Sequence, residues 1–244
     1  GHVAKVVMPM YRTKFLYDNQ WEVDYKGKAW LGDWQFDFTV IKLTSKDLGY
    51  DLFLIDINGL LDRQKVYGYE DDAERFTAFQ IAAMEWMVQW QHVPDVVHCH
   101  DHHTGLVPFM MQHCYAYRHK LARVPSIITI HNAQYQGWMG WDKTKYIPEW
   151  DNWRWGDLDW ANSINPLASA VKCAWRVTTV SQSYMDELRY NSNGLEALFE
   201  YEKGKCMGIL NGIDYDVWCP KKVNEVKVPT PALGLTLKFP CTRY

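Results

Sequence analysis

The sequence has no C-x-x-C pair, no run of lysines and arginines, and no apolar stretch near the roughly 18 residues that a membrane helix needs. Each absence excludes something. The six cysteines (Cys99, Cys114, Cys173, Cys206, Cys219 and Cys241) lie at wide spacings, and a chain of 244 residues does not need cross-links to hold a core. They read as reduced thiols of a cytoplasmic protein. The basic residues are scattered and the net charge is −3, so no attraction to nucleic acid or to an acidic membrane surface is expected. A secretory leader is lacking too. So is an initiating methionine: the chain opens on Gly1-His2 and runs straight into an apolar segment, which points to a missing start.

What is present is a large apolar fraction, 48% of the residues, enough for a packed core. Residues 3–8 (V-A-K-V-V-M) predict a buried strand. Residues 21–25 and 35–43 alternate and are rich in β-formers, with Lys26-Gly27 and Gly32-Asp33 as turn signals, which predicts a small antiparallel hairpin. Residues 50–57 predict another strand. Then the period changes. Phe76, Phe79, Ala83, Met87 and Trp90 recur at steps of three and four, the core stripe of an amphipathic helix over 72–91. Further strands are predicted at 95–98, 126–130, 176–180 and 205–210. Helices are predicted at 104–119, 166–175 and 181–191, the last capped by Ser181. Short apolar strands alternating with helices specify an α/β fold with a parallel sheet.

In such a sheet, ligands bind at the carboxyl ends of the strands. Reactive residue types gather there in this sequence. His98-Cys99-His100-Asp101-His102-His103-Thr104-Gly105 follows one strand, and His131-Asn132-Ala133-Gln134-Tyr135-Gln136-Gly137 the next. Ser181-Gln182-Ser183-Tyr184 and Asn211-Gly212-Ile213-Asp214 follow two more. Carboxylate, amide and imidazole groups along one crevice suit the hydroxyls of a sugar. Gly105, Gly137 and Gly212 allow tight turns or close approach of backbone.

Four motifs, D-V-V-H-C-H-D-H-H-T-G-L (95–106), T-I-H-N-A-Q-Y-Q-G (129–137), R-V-T-T-V-S-Q-S-Y (176–184) and I-L-N-G-I-D (209–214), resemble glycosyltransferase family 5, the bacterial glycogen synthases and plant starch synthases. The opening residues 1–11 resemble that family's second strand, and residues 164–181 its Bacteroides-type branch. The resemblance covers residues 1–220. It implies a GT-B fold, two Rossmann-like domains facing across a cleft, of which this chain is the N-terminal one. It also implies retaining transfer of glucose from ADP-glucose to the 4-hydroxyl at the non-reducing end of an α-1,4-glucan such as glycogen, without metal or cofactor. By the same resemblance His131 is the active-site histidine, with Asp101 also close to the donor glucose. Asn132 and Asn211 contact the sugar, and Gln134, Tyr135 and Gly212 join the substrate-binding set.

Each assignment has a plainer rival. Asp101 could cap the helix after it, and Asn211-Gly212 alone makes a turn. The run His98, His100, His102 and His103 could hold zinc, although ligands packed so densely cannot all face one ion. Trp138, Trp141, Trp150, Trp153, Trp155 and Trp160 could stack on glucan rings or pin a long connection. The sequence also departs from the family. The K-T-G-G-L phosphate loop, the first strand and helix, and the second domain are missing. Residues 221–244 match nothing and read as a weakly structured tail. Little or no synthase activity is therefore expected of the chain alone, along with poor solubility from exposed apolar sheet surface.

Overall fold

The apolar segments pair into two four-stranded sheets that share one core. The computed structural model describes residues 1–214, of which Gly1–Leu210 form one compact unit. Strand β1 (Lys5–Pro9) leads through a short helix α1 (Lys14–Tyr17) to β2 (Trp21–Leu31), β3 (Trp34–Leu43) and β4 (Asp51–Asp56). Their order is β1-β4-β3-β2, with β1 parallel to β4 and the other pairs antiparallel. The predicted hairpin is β2-β3, turning at Gly32-Asp33, and it joins the sheet through β3.

Lys26-Gly27 is not a turn. Both residues lie inside β2, opposite Thr39 and Phe38. The glycine is there because aromatic rings cross over it: a Cβ at Gly27 would lie 2.6 Å from Phe38 Cζ and 2.7 Å from Tyr25 Cε1. Glycine in a strand commonly marks such close approach.

Helix α2 (Asp72–Gln89) follows, then β5 (Val97–His100), a 3-10 turn at His102–Thr104, and helices α3 (Val107–His113) and α4 (Tyr115–Leu121). Beyond β6 (Ser126–Ile130) a long connection contains the two-residue strands β7 (Asp159–Trp160) and β8 (Ser163–Ile164). Helix α5 (Pro166–Cys173), β9 (Arg176–Thr179), α6 (Gln182–Leu188), α7 (Glu196–Tyr201) and β10 (Cys206–Gly208) complete the unit. The second sheet has the order β10-β9-β6-β5 and is parallel throughout. Ser181 caps α6 as predicted, its hydroxyl accepting the Tyr184 N–H at 3.1 Å.

The predicted helix over 104–119 is two helices. Cys114 between them is extended (φ −75°, ψ 129°), because the backbone there pairs sideways with the long connection. It bridges Trp150, and the Tyr115 N–H donates to Glu149 C=O at 2.9 Å. Helix α2 is buried over more than its apolar stripe. Arg75 is fully enclosed, its guanidinium held by the carbonyls of Leu60 (2.7 Å) and Val66 (3.3 Å) and by Asp72.

The core runs from Phe53 and Ile55 of the first sheet to Cys99, Ile128 and Val177 of the second. Among the described residues β1 pairs only with β4 and β5 only with β6, and Val6, Met8 and Val96 are exposed along these edges. Cys99, Cys114, Cys173 and Cys206 are free thiols, and no described helix is long and apolar enough to cross a membrane. Cys219, Cys241 and the expected tail over 221–244 lie outside the described residues.

Gly105 shows how tightly the strand ends are packed. A Cβ there would meet the backbone oxygen of Pro166 at 2.4 Å, and backbone cannot swing aside. Gly105→Ala is expected to lower stability by about 1–3 kcal/mol, the usual cost of overpacking. Urea unfolding measures it, and an unchanged midpoint would contradict the close approach.

Candidate active site

Strand β5 ends in a residue that its own backbone disfavours. Asp101 has φ 55° and ψ −175°, a region open in practice only to glycine. Such a conformation costs about 1–3 kcal/mol and persists only where neighbours hold it. Here they do. The Asp101 N–H continues the β5-β6 ladder by donating to Thr129 C=O at 3.0 Å. Its carboxylate Oδ1 accepts the backbone N–H of His131 at 2.8 Å and, at 3.4 Å, that of Asn132. The side chain makes no capping bond to the 3-10 turn that follows it. The helix-cap rival for Asp101 therefore fails, since the carboxylate is turned toward the neighbouring strand end.

The loop that leaves β6 is pinned at nearly every residue. The Asn132 side chain accepts the Gln134 N–H at 3.0 Å, closing a local turn. The Ala133 N–H donates to Tyr184 Oη at 3.0 Å, and Asn193 donates to Gln134 C=O at 3.3 Å. A ring nitrogen of His102 lies 3.1 Å from Tyr135 C=O. Gly137 has φ 74° and sits under the His102 ring, where a Cβ would come within 2.7 Å. His131, Asn132, Gln134 and Tyr135 are left exposed, while Ala133 and Gln136 point inward.

Five of the seven predicted site residues are thus brought together: Asp101, His131, Asn132, Gln134 and Tyr135. Asn211 and Gly212 belong to a second unit, Asn211–Tyr244, in which both are exposed and outside any helix or strand. The sequence reading missed His100, Gln136 and Tyr184 as partners of the loop. For Tyr184 a signal existed, because it sits three residues after the Ser181 cap and so faces back over the strand ends.

The His-rich run does not converge on one point. His98 and His100 share a face of β5, with rings 4.3 Å apart. His100 Nδ1 lies 3.1 Å from His131 Nε2, and His98 Nε2 lies 2.6 Å from Thr129 Oγ1. His102 and His103 stack at 3.8 Å in the following turn, with His103 against Phe76. Elsewhere, donor atoms of His113, Asp157 and Cys173 lie within 4.8 Å of one another. The Arg154 guanidinium lies against two of these groups, 2.9 Å from Asp157 and 3.4 Å from His113. The tryptophans divide. Trp150 is buried against Phe109, and the Trp141 and Trp160 indole N–H groups donate to the Asp159 carboxylate and Gly194 C=O, so these three pin the connection. Trp138, Trp153 and Trp155 are exposed.

Lost hydration and imidazole crowding set the charge of the histidines. His100 is pushed down to about 4 by desolvation and by His98 and His131, and His102 to about 4 by desolvation and by His103. His98 and His103 are lowered mainly by desolvation. These rings are neutral when folded and take up protons on unfolding at the ordinary value of 6.5. Their stability contribution is complete above that value and is lost as the pH falls through the window from 6.5 toward 4. The urea midpoint is expected to drop on acidification while the pH is still above the carboxylate range, and His102→Asn to flatten that drop. A midpoint constant across the window would refute the assignment.

A family model described as the starch synthase catalytic domain matches residues 1–201. A glycogen synthase of Flavobacterium johnsoniae is 51% identical over 222 residues, covering 91% of this chain and 47% of that protein. A glycogen synthase of Streptococcus sanguinis is 33% identical over 228 residues, with the same coverage of each. Among solved structures, the catalytic domain of starch synthase IV from Arabidopsis thaliana, bound to ADP and acarbose, superposes with a TM-score of 0.79 at 27% identity. That match covers 93% of this chain and 48% of the other. The chain spans about half the length of the relatives it matches. A parallel α/β sheet carrying this strand-end loop, together with these matches, places the chain in the glycogen and starch synthase family of glycosyltransferases.

Proposed function

We propose that this chain forms the N-terminal wall of a glycogen synthase site that transfers glucose from ADP-glucose to the 4-hydroxyl of an α-1,4-glucan with retention. The observation that carries the reading is the bond from the Asp101 carboxylate to the His131 and Asn132 amides. It locks two adjacent strand ends together and leaves imidazole, amide and carboxylate facing one edge. The starch synthase it resembles was solved with ADP and acarbose, a nucleotide and a sugar-like ligand.

In this reading each group has one task. Asp101 Oδ1 holds the loop, while Oδ2 accepts a donor-glucose hydroxyl and lends negative charge near the anomeric centre. His131 and the Asn132 amide nitrogen orient the remaining hydroxyls. Fixed dipoles and charge of this kind stabilise an oxocarbenium-like transition state because they need not reorganise as charge develops. The reading names no protein nucleophile, and it needs no metal or cofactor. Asn211 and Gly212 are assigned to substrate binding through the N-G-I-D motif alone. The enzyme is placed in the cytoplasm, where its nucleotide sugar is made.

The test is a chimaera in which this chain replaces the matching half of one of the glycogen synthases it resembles. Labelled glucose from ADP-glucose is expected to enter glycogen. His131→Ala is expected to cut kcat/KM by about 10²–10³, the usual loss for a transition-state donor. A folded chimaera that binds glycogen without incorporating glucose would leave a glucan-binding module in place of a synthase. Trp153→Ala with Trp155→Ala is expected to weaken glycogen co-sedimentation by the 244-residue chain, since stacking on a ring is worth about 1 kcal/mol or more. Unchanged co-sedimentation removes the exposed tryptophans from the glucan surface.

A further inference from the structure

Gln136 ends the loop that begins at His131, and it is almost fully buried, as is its partner Asn165. Backbone groups fix the orientation of both amides. Asn165 Oδ1 accepts the Ala168 N–H at 2.9 Å at the start of α5, so its Nδ2 must point the other way, to Gln136 Oε1 at 2.8 Å. Gln136 Nε2 then faces three carbonyls: Ala133 at 3.0 Å, Ser192 at 3.1 Å and Asn193 at 3.1 Å. The Gln136 carbonyl in turn accepts the Leu167 N–H at 3.2 Å. One side chain thereby ties together the His131 loop, the segment after α6 and the start of α5.

This is more than a satisfied core amide. Ala133 directly follows His131-Asn132, and Asn193, itself in the left-handed region (φ 56°), returns a bond to Gln134. A side chain with no path to solvent cannot touch a sugar. We propose that Gln136 is a positioning residue for the transfer reaction: it holds the loop in the conformation that presents His131 and Asn132, using Asn165 as its fixed anchor. The proposal rests on the synthase reading of the same site.

Gln136→Met keeps the length of the side chain and leaves three carbonyls without their donor. In the 244-residue chain labelled with ¹⁵N, amide exchange at His131, Ala133 and Gln134 is expected to speed up about tenfold or more. Exchange at Ile128 and Ile130 in β6 should change much less. Affinity for ADP-glucose or maltoheptaose should fall about tenfold, the factor expected for one lost buried hydrogen bond. If loop and strand amides accelerate together, or if affinity is unchanged, Gln136 is merely structural and the proposal fails. If the loop loosens selectively but Gln136→Met leaves glucose incorporation by the chimaera unchanged, the assignment to this reaction is overturned while the hold on the loop stands. Should Gln136→Met not fold, Gln136→Glu replaces it. Near about pH 8 its carboxylate opposes the three carbonyls, and near about pH 5 the acid form donates again. Loop exchange relative to wild type must then slow on acidification, and its failure to slow overturns the proposal.

Discussion

The arrangement of the site depends on one carboxylate. Parallel strands lie about 4.8 Å apart, so their ends are neighbours without any device to make them so. The loops beyond those ends are a different matter, because nothing in a β-ladder fixes a chain after its last pair. Asp101 supplies the missing constraint by carrying the β5-β6 pairing into the loops with its side chain. The conformation it must adopt is costly for any residue with a Cβ, so the compensation has to be local, and the two amides it receives provide it. Without the carboxylate, the same backbone keeps only its ladder bond to Thr129 to hold it in that region.

Around this point the loop is fixed by polar groups rather than by apolar packing. Tyr184, Gln136, Asn193 and His102 each meet one of its backbone atoms. This is why its polar side chains can stand exposed and still be ordered. An apolar anchor would have had to bury the very residues that face outward. The neutrality of the crowded imidazoles follows the same logic, since a proton on His100 would sit between the rings of His98 and His131.

Much of this was legible in the sequence, for reasons that differ by element. Strands β1, β4, β6 and β9 announce themselves as short apolar runs, and α6 by its serine cap. The strand-end rule groups Asp101, His131 and Asn132, and the structure joins the three by hydrogen bonds. What failed were local signals overridden by distant partners. Lys26-Gly27 has turn chemistry, but the residue that decides it is Phe38, eleven positions on. The break at Cys114 depends on Glu149 and Trp150, which no window of a helix's length contains. Gln136 was visible only as a polar letter in a motif, because burial and three carbonyl partners are not written in one-dimensional spacing.

Among the edge strands of the two sheets, β1 bounds the first and β5 the second, opposite β2 and β10. Each edge offers a row of unpaired amides and carbonyls beside exposed Val6 and Met8, or Val96. A pair of like edges, β1 with β1 or β5 with β5, is isologous and closes on two copies, whereas a pair of unlike edges is heterologous. A contact from β1 of one copy to β5 of the next leaves a free edge at each end, so it does not close on two copies and continues with concentration. Which edge meets which therefore decides whether association of the chain stops at a pair or continues from copy to copy.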